Sequence, residues 1–156
     1  MNTAVAVNYD YDGDGDEDLY VGSRSVPQHY GTSPQSYVYN NDGQGHFTDV
    51  TEQLNKGLVT RGMITGAAWS DVTGDGRREL VIVGEWMAPV IYQYNKTTNK
   101  LEELKNTGLE EMYGWWQTVK TGDLNGDGKP DLATVNDERF DQAHPGAGNA
   151  ATQPTR

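Results

Sequence analysis

A chain of 156 residues with 23 acidic against 12 basic side chains and a formal charge of −11 has the wrong sign for nucleic acid or an anionic membrane surface. It has no cysteine, which excludes a disulfide framework and a thiolate metal site, and no apolar run long enough to span a bilayer as a helix. Its 19 glycines and 9 tyrosines favour short strands joined by tight turns over a helical bundle.

The opening residues MNTAVAVNYD lack the basic and apolar regions of an export signal, so an exported protein would carry its address elsewhere. TAVAVNY (3–9) reads as a strand, DYDGDGDEDL (10–19) as an acidic loop, and LYVGS (19–23) as a second strand. SYVYNNDGQGHFTDVT (36–51) carries an Asn-Asp-Gly turn between alternating runs, which predicts a hairpin. VTEQLNKGL (50–58) suits one or two helical turns.

The order then repeats. TGAAWS (65–70), DVTGDGRREL (71–80) and LVIVGEW (80–86) match the first strand, loop and second strand, and VIYQYNKTTNKLEELK (90–105) matches the hairpin. LEEL resembles a helix start, but its place opposite HFTDVT in the first unit assigns it to a strand. WWQTVKTG (115–122), DLNGDGKPDL (123–132) and LATVN (132–136) begin a third unit, and DERFDQAHPGAGNAATQPTR (137–156) is an irregular C-terminal tail. Four antiparallel strands in roughly 40–60 residues make a β-propeller blade. The expected fold is therefore all-β: a partial propeller of about two and a half blades over 1–136. Blade 1 covers about 3–51, blade 2 about 65–105, and half of blade 3 about 115–136.

Each acidic loop follows D-x-[DTN]-G-D-G-x-x-[DE]-L. Positions 1, 3 and 5 are Asp10, Asp12 and Asp14, then Asp71, Thr73 and Asp75, then Asp123, Asn125 and Asp127. Position 9 is Asp18, Glu79 or Asp131 and closes the set. Position 7 (Asp16, Arg77, Lys129) varies in chemistry, as expected if it serves through its backbone carbonyl. Alternate oxygens around a glycine-wrapped loop suit a hard cation, and calcium takes six to eight such ligands. An EF-hand needs a glutamate at position 12, where this chain has Val21, Ile82 and Thr134 in strands, so that motif is excluded. Up to three Ca2+ ions are expected, bound most tightly by the first loop with its four carboxylates.

The loop followed by L-x-V resembles the FG-GAP/VCBS repeat of integrin-α-type β-propellers. NNDGQGHFTDVTEQL (40–54), GAAWSDVTGDGRRELVIVGEW (66–86) and GWWQTVKTGDLNGDGKPDLATVN (114–136) are similar to bacterial VCBS proteins. The resemblance implies calcium in the loop joining the first two strands of each blade, and an extracellular or periplasmic setting.

Catalytic motifs are missing: there is no G-x-S-x-G, no phosphate loop and no H-E-x-x-H, and His29, His46 and His144 are scattered. The expectation is a binding, adhesion or structural module rather than an enzyme. Its partners would be a protein or carbohydrate ligand, or further copies of itself through open blade edges. Alternatively the chain is a non-catalytic part of a larger secreted enzyme. Trp69, Trp86, Trp115 and Trp116 are expected in the core between blades, with GEWMAP (84–89) and YGWW (113–116) as candidate sugar platforms. Asn95-Lys96-Thr97 is a glycosylation sequon in a turn.

Overall fold

The computed structural model describes residues 2–137. β1 (Asn2–Tyr9), β2 (Asp18–Ser25), β3 (Tyr37–Asn41) and β4 (Phe47–Asp49) form an antiparallel sheet in chain order. Two single-turn helices, α1 (Thr51–Leu54) and α2 (Lys56–Val59), lead to the second unit. There β5 (Met63–Ser70), β6 (Glu79–Met87), β7 (Val90–Asn95) and β8 (Lys100–Glu103) pair in the same order. The first three residues of LEEL lie in β8, as the alignment requires, and Leu104 follows its end. A third hairpin follows, β9 (Gly114–Gly122) with β10 (Asp131–Asn136). The fold is the expected one, nearly all β with repeated antiparallel blades. Apart from Asp137, the tail lies outside the described residues, as does His144.

One pairing is invisible in the sequence. β9 joins β6 through Glu85↔Trp115 and Met87↔Gly114, tying the third hairpin to blade 2 in a six-stranded sheet. β7 covers β6 only from Leu80 to Ile82, so the far end of that edge has backbone groups to satisfy, and β9 supplies partners.

The strand period of two explains the core. Along β6, Leu80 and Ile82 face blade 1 and join Tyr20, Val38, Leu58, Ile64, Tyr92 and Leu101. Val81 and Val83 face the other way and join Ile91, Trp116 and Val119. Blade 2 is therefore buried on both faces, and each fully buried side chain of this size contributes about 1.5–3 kcal/mol. Glycine sets the spacing between blades. A Cβ on Gly66 of β5 would lie 2.9 Å from the Val119 nitrogen and 3.0 Å from the Thr118 Cα of β9.

The tryptophans divide. Trp116 is buried, and Trp69 packs against Tyr9 and Tyr11 at the edge of the first core. Trp86, expected inside, is 47% exposed. The sequon residue Asn95 ends β7, with its amide donating to the Glu102 carboxylate.

Candidate metal centre

All three acidic loops start and stop at the same place in their hairpins. Tyr9 pairs with Asp18, Ser70 with Glu79 and Gly122 with Asp131, so position 9 is always the first residue of the second strand. Backbone pairing thus fixes the closing carboxylate while the loop carries the others around to meet it.

The loop interiors are wired alike. Asp10 accepts backbone N–H bonds from Gly13 at 2.7 Å, Asp14 at 3.1 Å and Gly15 at 3.1 Å. Asp71 accepts from Gly74, Asp75 and Gly76 at 2.7, 3.0 and 2.9 Å, and Asp123 from Gly126, Asp127 and Gly128 at 2.7, 3.1 and 2.9 Å. Turning three successive amides onto one carboxylate needs left-handed backbone at positions 4 and 6, and all six glycines there have φ between 75° and 101°. Position 9 reaches back to the amide of position 2: Asp18 accepts from Tyr11, Glu79 from Val72 and Asp131 from Leu124. Position 5 accepts from the amide of position 7, so Asp14 holds Asp16, Asp75 holds Arg77 and Asp127 holds Lys129.

Two acidic triads converge among the described residues. One carboxylate oxygen each from Asp10, Asp12 and Asp18 lie within 4.8 Å of one another, as do those from Asp71, Asp75 and Glu79. Asp18 and Glu79 are buried, at 1% and 0% exposure. Burial, reinforced by the charges of Asp12 and Asp14, pushes the Asp18 carboxyl up to about 6. Burial likewise raises Asp12 and Glu79. Crowded, partly desolvated carboxylates with oxygen as the sole donor type fit a hard divalent cation, whose charge reverses the penalty on ionisation.

The remaining predicted residues differ between loops. Asp14 stands outside the first triad. In the second loop Thr73 donates its hydroxyl to Glu79 at 3.3 Å, and the exposed Arg77 guanidinium pairs with Asp75 at 2.8 Å. In the third, Asn125 donates its amide to Asp127 and Asp131, each at 3.3 Å. That loop is the most exposed, and its carboxylates do not converge as the other two sets do.

Sequence reading missed one contributor in each complete blade. The Asn40 amide of β3 donates to Asp12 at 3.1 Å and Asp18 at 3.2 Å, and the Asn41 backbone amide adds a bond to Asp18 at 3.0 Å. In blade 2 the Gln93 amide of β7 donates to Asp75 at 2.9 Å and Glu79 at 3.3 Å. A signal existed: aligning the hairpins on Tyr39 and Tyr92, which pair with Leu19 and Leu80, puts Asn40 opposite Gln93.

The comparisons with known proteins agree with this repeat. The family described as FG-GAP-like repeat matches over residues 10–82 and again over 71–134, each match running from one acidic loop into the strand after the next. No curated protein matches the chain. With overlapping matches across most of the sequence and a blade that recurs around the same wired loop, the chain belongs to the FG-GAP-like repeat family.

Proposed function

We propose that this chain is a calcium-stapled segment of a β-propeller, of the bacterial VCBS class, acting outside the cytoplasm as a non-catalytic binding module. The observation that carries the reading is the convergence of three carboxylates in each complete blade, one in each (Asp18, Glu79) buried with its carboxyl pushed above the ordinary value. Asp10, Asp12 and Asp18 would hold one ion, and Asp71, Asp75 and Glu79 a second. Asp123, Asp127 and Asp131 form a third, more exposed loop. Calcium is favoured over magnesium because a flexible, all-oxygen loop meets its loose geometry better than a strict octahedron. The ion supplies charge neutralisation at the corner where two strands part, which converts repulsion into a cross-link. An external setting is the one that the resemblance to calcium-binding repeats of this kind supports. The non-catalytic reading follows from the commitment of the clustered carboxylates to these loops.

The test is thermal melting in calcium and in chelator, with calorimetry for stoichiometry. The expected result is a higher Tm in calcium, reversed by EDTA, with at least two sites. A Tm indifferent to both overturns the reading. A second reading, self-association, draws on β10, which lies at a sheet edge with Val135 57% exposed. Mass measurement in solution tests it, and a monomer at all concentrations dismisses it.

A further inference from the structure

β6 is buried along its whole length except at one residue, and that residue is a tryptophan. Trp86 also has a φ of 57°, a left-handed conformation that bulky side chains avoid. The cause is a bulge. In the β6–β9 pairing Glu85 meets Trp115 and Met87 meets Gly114, which leaves Trp86 as the extra residue. Glycine is the usual occupant of a left-handed bulge position, and bulges recur beside functional sites because they re-aim a side chain. Here the bulge turns an indole out of a buried strand into solvent.

The surroundings are built across all three repeats. Tyr30, from the β2–β3 connection, meets Trp86 edge-on at 5.5 Å and 75°, and Trp115 of β9 lies 6.3 Å away on another side. Gly31, with a φ of 88°, turns the connection against the indole, where a Cβ would sit in ordinary contact 3.4 Å from Cζ3. Beneath them Glu85 is buried at 2% exposure, accepting from Arg24 Nε at 2.7 Å and the Tyr30 hydroxyl at 2.6 Å, with the Trp115 indole as a further donor. The Arg24 side chain is 45% exposed and spends Nε and Nη2 on Glu85, which leaves its remaining N–H groups for a ligand. All of this lies at the strand ends opposite the acidic loops.

We infer that Trp86, Tyr30 and Arg24 form a binding site for a neutral saccharide. The indole face carries negative quadrupole charge and attracts the slightly positive C–H face of a pyranose, while the free guanidinium N–H groups reach ring and hydroxyl oxygens. Charge decides against ionic ligands. Arg24 and Glu85 neutralise each other, a cation would have to displace Arg24, and the overall −11 repels polyanions. The site names the ligand class for the binding module proposed above and rests on that reading, but not on the cations.

The test is tryptophan fluorescence and calorimetry on the full chain with cellohexaose, laminarihexaose, chitohexaose and mannohexaose, in calcium. The expected result is saturable binding of at least one of them, weakened about tenfold in Trp86→Gly by loss of one stacking contact. Glycine adopts this φ freely, so the variant is expected to melt within a few degrees of the wild type. Binding by none of the four overturns the site, as does undiminished binding by Trp86→Gly. A large fall in that variant's Tm assigns Trp86 to structure instead and overturns it too. Repeating the titration in chelator separates the two proposals, because saccharide binding there with an unchanged Tm rejects only the calcium staple.

Discussion

Asn40 and Gln93 occupy equivalent positions on the third strands of successive blades, and each spreads one amide over two carboxylates of the neighbouring acidic loop. The amide brings partial positive charge to a corner dominated by carboxylates. Asn40→Ala and Gln93→Ala are each expected to cost about 1–3 kcal/mol, since buried carboxylate oxygens lose donors. Urea unfolding in calcium measures this. An unchanged midpoint shows that water replaces the amide without loss.

Arg77 competes for the second loop. Its guanidinium holds Asp75 at 2.8 Å, and the pair is exposed enough to be weak. On the calcium reading, Arg77→Ala frees a ligand and strengthens the second site. Because so exposed a pair is weak, the gain in affinity by calorimetry is small, within about fivefold. A weaker second site in the variant reverses the assigned role.

Gly66 sets the distance between blades 2 and 3. Its missing Cβ would press on backbone atoms of Thr118 and Val119, which cannot swing aside as a side-chain tip can. Gly66→Ala is expected to destabilise by about 1–3 kcal/mol, the range for overpacking, with hydrogen exchange speeding up first in β9 and β10. Wild-type exchange in those strands means that the blades separate without cost.

Glu85 gives the molecule an acid limit. Burial alone would raise its carboxyl, but donors from Tyr30, Trp115 and Arg24 outweigh that and hold it below the ordinary value of 4.5. The native state therefore releases this proton more readily than the unfolded chain. The resulting stabilisation is complete above the unfolded pKa and is lost as pH falls through the native one. Glu85→Gln is expected to be less stable than wild type at neutral pH, with the gap narrowing below about pH 4.5 in denaturant melts at stepped pH. A constant gap assigns the loss to packing.

The blades were legible because two signals coincide: alternation marks the strands, and a loop of fixed spelling recurs in register between them. LEEL shows the benefit, since repeat alignment overrides its helical appearance. Asn40 and Gln93 were not legible from the loop motif, which ends at position 10, because they arrive from a strand further along the chain. The exposure of Trp86 was hidden for a related reason. Its bulge arises from pairing with β9, and no local pattern in GEWMAP announces a partner near residue 115.

The seam between β6 and β9 also makes the third hairpin dependent on blade 2 for an edge to pair with. β7 stops at Ile82 of β6, and the backbone left open beyond it is where β9 pairs. Blade 2 thus doubles as a template for the third hairpin, whereas among the described residues blades 1 and 2 share no ladder and meet through side-chain packing.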